Sequence, residues 1–92
     1  MKVVALTSDL MDRSKISAAI PEVSYELSSD ADVVIVDVAR HSADDARAVA
    51  PGARVVCYGP HVDAADGVIP RSKFFRDIAE SVGRLTGAEN YP

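Results

Sequence analysis

The hydrophobic pattern of the chain predicts an α/β domain built on a mostly parallel, five-stranded sheet with about three helices. Three observations carry this. Val33–Val36 and Val55–Cys57 are apolar throughout and rich in β-branched residues, the mark of strands buried on both faces. Helix-period segments with capping residues alternate with such runs, an order that gives parallel sheets. At 92 residues the chain is long enough for one domain with a small core.

Taken in order, Lys2–Leu6 reads as a buried strand. Thr7, Ser8 and Asp9 break it and open a helix running to about Ile20, where Pro21 stops it. Ile16 and Ile20 share one face of that helix. Val23–Leu27 alternates apolar and polar residues, the pattern of an edge strand. The central strand Val33–Val36 ends at Asp37. Ser42 and Asp45 form a capping signal for a helix to about Ala50, closed by Pro51 and Gly52. Arg54–Tyr58 is the next buried strand, followed by Gly59 and Pro60, and Gly67–Ile69 is a short last one. Ser72 is placed to cap a final helix, with Phe74, Ile78, Val82 and Leu85 on one face and Thr86-Gly87 as its stop. The domain is therefore expected over residues 1–87, with 88–92 as a flexible tail. Two connections, Ser28–Asp32 and His61–Asp66, are short for parallel crossovers, which usually need about a dozen residues and a helix. Either those crossovers have lost their helices, the preferred reading, or a strand runs antiparallel.

Composition narrows the function classes. A net charge of −4 without a basic stripe speaks against nucleic-acid binding. No apolar run is long enough to cross a bilayer, and the first residues lack a signal-peptide pattern, so a cytoplasmic protein without membrane partners is expected. The single Cys57 has apolar neighbours and no CxxC partner, as a buried core thiol would. No glycine-rich phosphate loop follows the first strand.

In open α/β sheets the functional crevice lies at the carboxyl ends of the strands. That places Ser8 and Asp9, then Asp37, Arg40 and His41, then Gly59 and His61, and finally Arg71 as candidates. His41 and His61 are metal ligands by type but have no ligand-like spacing, and His61 reads as a loop residue. Phe74 reads as core. Phe75, offset by about 100° on the helix, reads as partly exposed.

With these residues in view, the chain resembles the receiver domain of bacterial two-component response regulators. The resemblance runs from Met1 to Leu85 and rests on Val-Ile-Val-Asp37, on Asp9 after the first strand, and on Asp66-Gly67-Val-Ile-Pro70-Arg71. The stretches Tyr58-Gly-Pro-His61-Val-Asp63 and Val68-Ile-Pro-Arg-Ser-Lys-Phe74 resemble more closely a group of short pseudo-receiver proteins with drifted sites. The resemblance implies a flavodoxin-like sheet of order 2-1-3-4-5, with the second and fourth helices absent. It implies that Asp37 stands at the phosphoacceptor position, with Asp9 and Asp37 as ligands of any Mg²⁺. Gly59 stands where a hydroxyl residue belongs, and Arg71 where a lysine belongs, with Pro70 before it. The acidic pair is reduced to Ser8-Asp9.

The dull reading of the cation is a structural Asp37–Arg71 ion pair at the strand ends. The expected function is thus a non-catalytic, receiver-like signalling or interaction module that needs no cofactor. One alternative is a phosphoacceptor modified on Asp37 with Mg²⁺. Another is a small hydrolase or metal enzyme, for which no nucleophile–base pair is legible. With two helices missing, one sheet face is expected to lack cover. Val34, Val36 and Val56 would then form an interface, since an apolar patch on the order of several hundred Å² does not stay wet in a monomer. A second copy of the chain, as a C2 homodimer, or another protein would provide the cover.

Overall fold

The structure is a computed structural model and describes residues 1–59, 68–78, 80 and 82. Its elements are β1 (Val3–Leu6), α1 (Leu10–Ala19), β2 (Val33–Asp37), α2 (Ala43–Val49), β3 (Arg54–Gly59), β4 (Val68–Pro70) and α3 (Arg71–Arg76). The strands form one four-stranded sheet of order β1-β2-β3-β4, and every neighbouring pair is parallel. His61, Asp66, Gly67, Leu85, Thr86, Gly87 and the tail 88–92 lie outside the described residues.

The pleat sorts the side chains onto two faces. Val3, Ala5, Val33, Ile35, Val56 and Tyr58 pack with Ile16 of α1, with Ile20 just after it, and with Phe74, Ile78 and Val82. Val4, Val34 and Val36 pack on the opposite face with Ala31, Ala46 and Ala50. β2 contributes to both cores and all five of its residues are buried, as its uninterrupted apolar run requires. α2 buries Ala46, and Ala50 just after it, against the sheet, and such small side chains let this short helix lie close.

The local starts and stops follow from particular residues. Asp9 caps α1, its Oδ1 accepting from the backbone N–H of Met11 at 2.8 Å and of Asp12 at 3.1 Å. Ser42 Oγ accepts from the N–H of Asp44 at 3.1 Å and caps α2. α3 starts two residues earlier than the sequence suggests. Its cap is Pro70, at φ −54°, with no side-chain hydrogen bond, so Ser72 sits inside the first turn.

The edge strand expected over Val23–Leu27 is reduced to a single parallel bridge between Ser24 and Val4. The Ser24 N–H donates to Val3 O and the Ala5 N–H donates to Ser24 O, both at 2.9 Å. The segment then leaves the sheet because Tyr25 is held by α1. Its hydroxyl donates to Arg13 O at 2.7 Å and accepts from Ser17 Oγ at 2.6 Å, while the Arg13 guanidinium lies over its ring at 4.8 Å.

The uncovered valine face is also corrected. Val34, Val36 and Val56 are all fully buried within the single chain. They do not share a face either. Val56 is registered opposite Ile35 and points with it towards α1 and α3, whereas Val34 and Val36 point towards α2. What stays half-buried around the α2 core is Leu6, Leu27, Val38, Val55 and Cys57. Among the described residues, no helix is long and apolar enough to cross a membrane.

Candidate functional site

The parallel sheet brings the carboxyl ends of β1, β2, β3 and β4 to one rim, where Thr7, Asp37, Gly59 and Arg71 follow or end their strands. Most of the candidate residues gather there, but their partners differ from those the sequence suggests.

Arg71 does not pair with Asp37. Its guanidinium forms a two-pronged ion pair with Asp12: Nη1 donates to Oδ2 at 2.7 Å, and Nη2 donates to Oδ1. The Tyr58 hydroxyl donates to the same Oδ2 at 2.9 Å. Asp12 is fully buried, so its carboxylate relies on these donors to replace water. The bond to Asp12 raises the Arg71 pKa further, and the guanidinium remains a fixed cation. Burial pushes the Tyr58 phenol well above its usual range, and the Asp12 carboxylate adds to this. Thr7 Oγ1 is buried and makes no hydrogen bond of acceptable geometry among the described residues, although it lies close enough to the Tyr58 hydroxyl to oppose that rise.

Sequence reasoning missed Asp12. The signal was available: Asp12, Ile16 and Ile20 are spaced four apart, so a carboxylate stands on the apolar stripe of α1. A charge on a core-facing stripe demands a buried partner.

Asp37 is buried, with 3% of its surface exposed, and works as a turn organiser. Its Oδ1 accepts from the Ala39 N–H at 3.1 Å, and its backbone carbonyl accepts from Arg40 N at 3.2 Å and His41 N at 2.9 Å. That turn carries His41 to Ser8, where Oγ and Nε2 are 3.1 Å apart. The contact ties the loop after β1 to the loop after β2. It is a hydroxyl–imidazole pair that no spacing in the sequence reveals.

Asp9 is held below its ordinary value of 3.8, chiefly by the N–H of Asp12, with further help from Met11 N and from the Arg71 and Arg40 cations. A carboxylate with a depressed folded pKa stabilises the fold above its unfolded value. That contribution is lost as pH falls through the folded pKa. Asn caps helices as well as Asp but does not titrate in this range. The melting temperature of Asp9→Asn is therefore expected to fall less steeply than that of the native protein below about pH 4. Parallel melting curves through acid would contradict the assignment.

The carboxylates around the rim already accept from protein donors. Asp9 Oδ1 is committed to two backbone donors, Asp37 Oδ1 to one, and the remaining acidic side chain near the rim, Asp12, is filled by Arg71 and Tyr58. Among the described residues, no group of three or more His, Cys, Asp or Glu side chains is placed to hold a metal ion. Gly59 is fixed by space: a Cβ there would stand 2.8 Å from Val38 Cγ2, and the β-branched Val38 has little freedom to turn away. A hydroxyl-bearing side chain could enter only if Val38 moved. Burial raises the pKa of the Cys57 thiol, which suits a core residue and not a nucleophile.

Comparison of the chain with protein-family models, with curated proteins and with solved structures found no match in any of the three.

Proposed function

We propose that the chain is a receiver-like docking module of bacterial signalling type, with a flavodoxin-like sheet and a site that does not turn over phosphate. The observation that carries this reading is the Arg71–Asp12 ion pair. Phosphoryl transfer to a carboxylate needs cations aimed at the charge that builds on the transferred group. Here the cation nearest that role is engaged on both prongs by a buried carboxylate, and Asp37 is turned to its own backbone. Gly59, packed against Val38, supplies no hydroxyl. The parallel bridge at Ser24, on the free side of β1, supports the 2-1-3-4-5 arrangement.

The test is intact-mass spectrometry after incubation with a small phosphodonor and Mg²⁺. No added phosphoryl group is expected. Stoichiometric addition that disappears in Asp37→Asn would establish the phosphoacceptor reading instead.

Self-association through the α2 face is the form of docking that the packing favours. Around this short helix, Leu6, Leu27, Val38, Val55 and Cys57 are only partly covered, and Val49 is 43% exposed. A second copy can cover them through a self-complementary contact. Sedimentation velocity at micromolar concentration is expected to show a dimer, shifted towards monomer by Val49→Glu. A monomer across that range would remove self-association and leave a different protein as partner.

A further inference from the structure

We propose that Ser8 and His41 form a nucleophile–base pair that takes an acyl group from a small carboxylic ester. This goes beyond the docking reading, because the pair uses neither Asp37 nor Arg71 as a reacting group and acts on carboxylic acyl groups, not phosphoryl groups. Ser8 Oγ and His41 Nε2 are 3.1 Å apart, within the reach a general base needs to take a hydroxyl proton. Ser8 is exposed and His41 half-buried, so the hydroxyl meets solvent at the rim. The parallel pairing of β1 with β2 sets the two loops side by side. Each residue is also anchored through its neighbours. Ser8 directly precedes Asp9, whose side chain fixes the start of α1 through the N–H groups of Met11 and Asp12. The His41 N–H donates to Asp37 O at 2.9 Å, in the turn that the Asp37 carboxylate closes on the Ala39 N–H. The two groups are therefore brought together before any ligand arrives, which removes part of the entropic barrier to reaction.

The reaction balances with water as its other reactant. It starts from neutral imidazole with the ring proton on Nδ1. Ser8 Oγ bonds to the carbonyl carbon of the ester while its proton passes to His41 Nε2. The bond from that carbon to the leaving-group oxygen breaks, and the oxygen takes the proton from Nε2. Water then attacks the Ser8 ester and gives a proton to Nε2. The carboxylic acid leaves, and Oγ recovers its proton. Among the described residues, no carboxylate is hydrogen-bonded to the His41 ring. A pair without that third member acts best where the leaving group departs easily, so the substrate class is activated esters such as aryl esters, not amides.

The experiment treats the full chain with p-nitrophenyl acetate, quenches in acid and maps the acetyl groups by peptide mass. Acetylation of Ser8 is expected to run at least about tenfold faster than that of Ser14, an exposed serine on α1. His41→Gln, checked as folded by circular dichroism, is expected to slow acetylation of Ser8 about 100-fold. Acidification is expected to slow it too, because a protonated imidazole accepts no proton, and this pH dependence should vanish in His41→Gln. Three results overturn the pair: acetylation of Ser8 no faster than of Ser14, acetylation of Ser8 that survives His41→Gln, or nitrophenolate release that disappears in His61→Gln instead. Each leaves the docking reading intact, since that turns on modification of Asp37 and on self-association.

Discussion

Replacing Phe74 by alanine is expected to cost about 3–5 kcal/mol, the range for truncating a large aromatic in a packed core. The residue is fully buried where α3 meets the sheet. Its ring stacks on Tyr58 at 4.6 Å with an interplanar angle of 4° and meets Phe75 edge-on at 5.0 Å. Truncation removes the transfer energy of the ring and opens a cavity beside the hydroxyl-bearing ring that anchors Asp12. A domain of this size has a stability on the order of 5–15 kcal/mol, so the variant approaches the point where unfolded chain is populated in water. Urea unfolding checks this, with the midpoint falling steeply at an unchanged slope. Phe75→Ala, at the half-buried neighbouring position, is expected to cost less than half as much. Equal losses at the two positions would mean that α3 is rotated from the orientation described.

Asp12→Ala is expected to lower stability by about 2–4 kcal/mol. Breaking a buried ion pair by removing one partner typically costs about 3–5 kcal/mol. The Arg71 side chain is 40% exposed, so water recovers part of that loss for the guanidinium. The Tyr58 hydroxyl loses the acceptor it has, and among the described residues only the nearby buried Thr7 hydroxyl stands in reach to replace it. At about 4–8 °C per kcal/mol for a domain of this length, the melting temperature should fall by roughly 10 °C or more. The double variant Asp12→Leu with Arg71→Met should cost clearly less than the sum of the single changes, because the two side chains act as one unit. Additive losses would show that the pair contributes nothing as a pair.

The same residues show what could be read in advance and what could not. The three valines and one isoleucine of β2 announced a strand with both faces covered, and Ser42 with Pro51 and Gly52 bracketed α2 to within a residue or two. Local pattern suffices there, because periodicity and capping are local physics. Val23–Leu27 has an equally clean alternation yet makes only one bridge. The pull on Tyr25 comes from Arg13 and Ser17 across a tertiary contact that no window of sequence contains. The rim divides in the same way. That Asp9, Asp37, Gly59 and Arg71 belong to strand ends follows from topology. Which carboxylate holds Arg71 depends on the approach of α1 to β4, across 59 residues of chain. The expectation of uncovered valines failed for a related reason. Counting absent helices ignores how completely small residues, Ala46 and Ala50 above all, let one short helix and a neighbouring loop close over a narrow sheet.

The rim as described has Arg71 already engaged in a structural pair with Asp12. Beryllofluoride mimics a phosphoryl group on an aspartate, so an amide-shift titration of the protein with beryllofluoride and Mg²⁺ examines this without any donor chemistry. With Arg71 locked on Asp12, no saturable cluster of shifts at Asp9, Asp37 and Arg71 is expected. Saturable shifts centred on those three residues, lost in Asp37→Asn, would contradict it.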